Sequence, residues 1–179
     1  MKKEQLEKNI QKGKDGEQAF LEWLDQNGFS YLYINQDTDS FPQLFKNHVK
    51  RPDFLVLIDS IGLIAVDVKN YKKHQEKYCP LPYESELKKT LSFERMFRIP
   101  VWYAYKNEES SWLWISALKA VEVGKLIAKE GQADFLSIKI EDFTEVTSNQ
   151  DIGKLWEQRL PSFKNNHNSI DDKHTKKNS

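Results

Sequence analysis

Residues 51–70, RPDFLVLIDSIGLIAVDVKN, restrict the fold of this chain more than any other stretch. They read as two short strands joined by a tight turn. The first is Phe54-Leu55-Val56-Leu57-Ile58, opened by Asp53, and the second is Leu63 to Lys69. Asp59-Ser60-Ile61-Gly62 between them is turn chemistry, with Gly62 able to take a positive φ. Side chains alternate faces along a strand, so Asp67 and Lys69 share one face while Val66 and Val68 point to the other. Two carboxylates and a lysine therefore converge at the open end of an apolar hairpin. Charges are expensive there unless they are paired or bind a metal.

The flanking sequence supplies a frame for that hairpin. Residues 3–27 read as one or two helical segments, interrupted at Gly13 and Gly16, with Asp15 able to cap the second. Ala19-Phe20 and Trp23-Leu24 recur at helical spacing and Asn27-Gly28 stops the helix. Glu17 falls in the first turn of the second segment, close to its apolar stripe. Residues 29–36 have strand composition, and 37–52 read as a loop with a basic cluster of Lys46, His48, Lys50 and Arg51. After the hairpin, Asn70 to Pro82 reads as a basic loop. Residues 83–98 form an expected helix with Leu87, Leu91, Phe93, Met96 and Phe97 on its core side. Val101–Tyr105 and Trp112–Ile115 are further strands, and Ser116 caps a helix expected to run through Ala128, with Leu118, Val121 and Leu126 as core contacts. A late strand with an acidic loop over 134–146 and a short helix over 151–160 follow. One domain over 1–163 and a disordered polar tail over 164–179 are expected, the tail for want of apolar residues. Helices and strands in this order imply a three-layer α/β domain, a mixed sheet with helices on both faces.

Composition excludes several classes. No apolar run is long enough to cross a bilayer, and the basic N-terminus lacks the apolar core of a secretory signal, so a cytoplasmic protein with no membrane partner is expected. The single cysteine, Cys79, excludes an internal disulfide and a cysteine-rich zinc site. The formal net charge is zero, but the distribution is uneven: residues 69–106 carry nine Lys and Arg against four Glu, a net of +5, and residues 107–160 six against ten, a net of −4. A basic face beside the hairpin would suit a polyanion; ordinary solvated helix surface would give the same counts.

Taken together, Pro52-Asp53, Asp67-Val68-Lys69 and the helical Glu17 in GKDGEQAFLEWL carry a resemblance over residues 12–106 to the PD-(D/E)xK nuclease superfamily and its restriction-endonuclease-like fold. The layout is most like that of the small Holliday junction resolvase-like nucleases, with a glutamate helix, a strand, a PD strand, a (D/E)xK strand, a helix and a strand in order. The resemblance implies a Mg²⁺- or Mn²⁺-dependent hydrolase that cuts phosphodiester bonds in DNA. Asp53, Asp67 and Glu17 would be hard oxygen ligands, with the Val68 carbonyl as a further one, and Lys69 would orient or deprotonate water and balance the phosphate. Glu86, opening the second helix, is a peripheral candidate, equally readable as a first-turn glutamate on the helix dipole.

Lys50, Arg51, Lys72, Lys73 and Lys77 flank this set and are the expected phosphate contacts. His48 and His74 read as solvated loop residues, and Trp102, Trp112, Trp114 and Trp156 as core before base-stacking platforms. No nucleotide cofactor is expected, and a homodimer is an expected assembly. Two other readings stay open. The same fold could serve as a catalytically inactive nucleic-acid-binding or interaction module, and Asp67 with Lys69 could be a structural ion pair.

Overall fold

A computed structural model of the chain describes residues 2–36, 48–59, 61–71, 73–74, 77–108, 110–128, 131 and 133–159. Lys46, Lys72 and the expected tail lie outside the described residues. The three-layer α/β expectation holds. A six-stranded mixed sheet runs in the order β1 (Ser30–Tyr33), β2 (Phe54–Ile58), β3 (Gly62–Lys69), β5 (Val101–Lys106), β6 (Trp112–Ser116), β9 (Thr144–Val146), with helices on both faces. β3 and β5 are parallel and every other pair is antiparallel. A parallel pair needs a crossover. The chain makes it through β4 (Tyr78–Pro82), a π-helical turn at Tyr83–Leu87 and α2 (Lys88–Phe97).

One face of the sheet buries Phe54, Val56, Ile58, Ile64, Val66, Trp112 and Trp114. Against them pack Phe20, Trp23 and Leu24 of α1 (Lys2–Gln26) and Leu155 of α4 (Lys154–Arg159). Phe20 meets the ring of Phe54 edge-on at 5.3 Å and that of Trp112 at 4.8 Å, favourable geometries for aromatic pairs. The other face buries Ala65, Val101, Tyr103, Leu113 and Ile115 under Leu87 and Phe93 of the α2 region and Ala117 and Ala120 of α3 (Ala117–Val123). A second sheet, ordered β4, β8 (Phe135–Lys139), β7 (Lys125–Ile127), closes that side.

Five expectations are corrected. α1 runs unbroken through Gly13 and Gly16, because burial of the Phe20–Trp23–Leu24 stripe outweighs the modest cost of glycine in a helix. The 70–82 loop ends in a strand: Pro80 and Pro82 are accommodated because β4 is an edge strand, where a missing N–H costs no ladder bond. α3 stops at Val123 and Lys125–Ile127 becomes β7. At Gly124 an added Cβ would stand 2.5 Å from the Ala120 carbonyl oxygen and 2.8 Å from Leu136 Cδ1. Leu118, Val121, Leu126, Met96 and Phe97 are exposed, and the α3 contacts are made by Ala117 and Ala120 instead. The late strand over 134–146 divides between β8 and β9, one in each sheet.

Candidate active site

The hairpin builds the site by register. β2 and β3 pair antiparallel from Ile58↔Gly62 to Phe54↔Val66, and Gly62 takes φ 101° at the turn. One step beyond the last pair, Asp53 stands beside Asp67 at the open end, where the Asp53 N–H donates to the Val66 carbonyl at 2.9 Å. Both aspartates are buried, at 7% and 1% exposure. Like charges opposed across strands are destabilising, and burial makes them more so. The two carboxylates respond differently. Burial, then the charge of Asp67, raises the Asp53 carboxyl well above the usual carboxylate range, and Glu17 adds to the effect. Burial alone would raise Asp67 too, but Lys50 and Lys69 outweigh it and hold that carboxyl well below its ordinary value.

Lys69 shares the face of Asp67, as alternation requires, with its Nζ 2.7 Å from Asp67 Oδ2. The Lys69 ammonium also donates to Glu86 Oε2 and lies 5.6 Å from the ring centroid of Tyr103 and 5.7 Å from that of Tyr71. A buried lysine thus has two acidic partners and two aromatic walls, which together fix the position of its ammonium. Glu86 comes from the π-helical turn ahead of α2. Such turns often sit at functional sites because they redirect a side chain that an α-helix would leave elsewhere.

Val68 turns its backbone toward β2. The Ala65 N–H goes to β5, donating to the Pro100 carbonyl, and backbone groups alternate sides along a strand. The N–H of Val68 therefore points the other way and donates to Asp53 Oδ2 at 2.7 Å, with its carbonyl on that same side.

Glu17 reaches the site from the opposite layer. Gly16 is buried against the end of β3: a Cβ there would lie 2.8 Å from Asn70 Cβ. Asn70 in turn donates its side-chain amide to the Lys12 carbonyl at 2.8 Å, clasping α1 to the strand end. The next residue is Glu17, close enough to Asp53 to raise its carboxyl, and Glu17 Oε2 accepts from the Tyr33 hydroxyl at 3.0 Å. A cavity of about 290 Å³ lined by Lys14, Glu17, Gln18, Leu21 and Tyr33 opens beside it. Gly16, Asn70 and the two tyrosines around Lys69 were not anticipated. The small residue directly before Glu17 was the available signal for the close approach.

The flanking cations behave unequally. Lys50 turns inward: its Nζ donates to Asp67 Oδ1 at 2.9 Å and Oδ2 at 3.0 Å, and to Glu86 Oε2. Burial alone would lower its pKa, but Asp67, Glu86 and Asp53 raise it well above the usual lysine value. Arg51 is half-buried, Lys73 donates to the Asn107 side-chain oxygen, Lys77 and His74 are exposed at the turn before β4, and His48 is exposed. Trp102, Trp112 and Trp114 are core; Trp156 is half exposed.

Among the described residues, no group of three or more His, Cys, Asp and Glu side chains converges as a ready metal cage. The donor chemistry nevertheless suits a hard divalent ion. Carboxylate oxygens are the hard donors such an ion takes: Asp67 and Glu86 are partnered by the ammoniums of Lys50 and Lys69, and Asp53, with Glu17 close enough to act on it, lies beside Asp67. Among the described residues, no helix is long and apolar enough to cross a membrane.

No family model matches the chain, and no curated protein matches it. Among solved structures the chain is similar to Hjc, a Holliday junction resolvase from the archaeal hyperthermophile Archaeoglobus fulgidus, at 20% sequence identity and a TM-score of 0.46, over 72% of this chain and 84% of that one.

Proposed function

We propose that this chain is a divalent-metal-dependent nuclease that hydrolyses phosphodiester bonds in DNA at a site made of Glu17, Asp53, Asp67 and Lys69. The observation that carries the reading is the buried Asp53–Asp67 pair at the open end of the hairpin, with Lys69 2.7 Å from Asp67. A fold does not place two like charges side by side in its interior for stability alone, and groups perturbed in this way concentrate at functional sites. The residue types match those by which the sequence resembles the PD-(D/E)xK nucleases.

Asp53, Asp67 and the Val68 carbonyl would hold Mg²⁺ or Mn²⁺, with Glu17 contributing directly or through water. The ion supplies a Lewis acid for the phosphate and a lowered pKa for water. Lys69, fixed by Asp67 and Glu86 and walled by Tyr71 and Tyr103, presents a positive charge that cannot swing away. Its role is to orient the attacking water and to balance charge developing on the phosphate. Arg51, Lys73 and Lys77, with Lys72 from the same stretch of sequence, would contact the DNA backbone without reading sequence.

Cleavage of supercoiled plasmid and branched DNA with Mg²⁺ or Mn²⁺ tests this, with Asp67→Ala and Lys69→Ala as controls. Metal-dependent nicking lost in both variants is expected. Cleavage that persists in chelator, or undiminished in both variants, overturns the proposal.

A further inference from the structure

The role of Lys50 is not accounted for by backbone contact to DNA. Its ammonium bridges both oxygens of Asp67, at 2.9 and 3.0 Å, and donates to Glu86 as well. With Lys69 also on Oδ2 at 2.7 Å, that oxygen already has two cationic partners. A carboxylate oxygen offers two lone pairs, so Asp67 Oδ2 is saturated and Oδ1 is half used. The position between the two oxygens, where Lys50 sits, is the one a chelated cation would take. Lys50 is also the better exposed partner, with 27% of its side chain accessible against 2% for Asp67. It reaches the site from the segment just ahead of Pro52-Asp53, and its backbone N–H donates to the Lys89 carbonyl of α2 at 3.3 Å.

We propose that the Lys50 ammonium is a built-in competitor for the divalent ion: it occupies the cation position on Asp67 in the metal-free protein and has to withdraw before a metal can be held there. This rests on the metal-site reading above and deepens it. The tethered lysine neutralises part of the carboxylate cluster when no metal is bound. Its withdrawal toward solvent turns a positive charge outward, beside Arg51, at the moment the ion arrives. A ligand that holds the withdrawn ammonium, such as a backbone phosphate, would therefore tighten metal binding, and by linkage the metal would tighten phosphate binding equally.

Two measurements on the full chain decide it. Mn²⁺ binding is followed by the loss of the free-ion electron paramagnetic resonance signal in wild type, Lys50→Met and Asp67→Asn. In the wild type, acylation of individual lysines is followed by mass spectrometry with and without saturating Mn²⁺. Expected are Mn²⁺ affinity about tenfold or more tighter in Lys50→Met, as removal of a close competing charge implies, and faster acylation of Lys50 when Mn²⁺ is bound. The acylation arm needs no variant, so poor folding of Lys50→Met does not leave the question open. If wild type binds Mn²⁺, Asp67→Asn does not, and Lys50 acylation is unchanged or slowed by the metal, the competitor role is wrong and the metal site stands. If Lys50→Met folds and binds Mn²⁺ no tighter than wild type, the same conclusion follows. If wild type and Lys50→Met both fail to bind Mn²⁺, both readings fall.

Discussion

Two glycines three residues apart in α1 should respond in opposite ways to the same substitution. Replacing a helical glycine by alanine removes backbone freedom from the unfolded chain, worth about 0.5–1 kcal/mol in favour of the fold. At Gly13 a Cβ would meet nothing within 4 Å, so Gly13→Ala should realise that gain. At Gly16 the same Cβ would stand 2.8 Å from Asn70 Cβ, about 1 Å inside ordinary carbon–carbon contact. The obstacle is the root of a side chain, not its flexible end, and Asn70 is tied by its amide to the Lys12 carbonyl. Relief therefore requires α1 and the end of β3 to move apart. Overpacking of this kind costs about 1–3 kcal/mol. Because the entropic gain is common to both variants, that cost is also the expected gap between them. In a chain of this size the gap corresponds to roughly 2–4 °C in Tm per kcal/mol. Equilibrium denaturation in urea, with wild type and both variants side by side, measures it. Gly16→Ala should also weaken any Mn²⁺-induced stabilisation, because the adjacent Glu17 moves with the helix; Gly13→Ala should leave it intact. Equal stabilisation by the two substitutions would refute the close contact between α1 and β3 on which the placement of Glu17 depends.

Asp53→Asn should stabilise the metal-free protein by about 1–3 kcal/mol near neutral pH, because it removes a buried charge facing Asp67 while retaining an oxygen that can accept from the Val68 N–H. Since the folded carboxyl is raised above its unfolded value, the penalty in wild type is absent below the unfolded pKa of about 4 and grows as pH rises through the folded one. The advantage of the variant should accordingly vanish in acid; an advantage that is flat with pH would contradict the assignment. Cys79 is buried, and burial pushes its thiol up to about 11. Native protein at pH 8 should therefore react with an aromatic disulfide reagent only as fast as it unfolds. Stoichiometric labelling within seconds in the absence of denaturant would show that the β4 environment is wrong.

The hairpin was legible in the sequence because each of its determinants is local. Two apolar runs, a glycine able to take φ 101° and strict alternation put Asp67 and Lys69 on one face before any tertiary contact is considered. The same locality explains what was missed. Leu118, Val121 and Leu126 fit one helical period, yet the helix ends at Gly124, where a Cβ would crowd the Ala120 carbonyl oxygen and the Leu136 side chain, a contact no local pattern announces. Pro80 and Pro82 argue against a strand unless it is known to lie at an edge, which is a property of the whole sheet. Gly16 looked like a helix breaker because its partner, Asn70, is far away in sequence. Lys50 is the sharpest case. A lysine in a basic, polar stretch reads as surface charge, and only the folded chain brings its ammonium onto Asp67, 17 residues on, and Glu86, 36 residues on.

The most direct measurement of the central claim is anomalous diffraction from crystals of the protein soaked in Mn²⁺. A manganese peak at the carboxylates of Asp53 and Asp67, absent in Asp67→Asn crystals, is the expected result. Saturating Mn²⁺ with no peak at that end of the hairpin, in crystals where both carboxylates are ordered, would contradict the assignment of the hairpin as a metal platform.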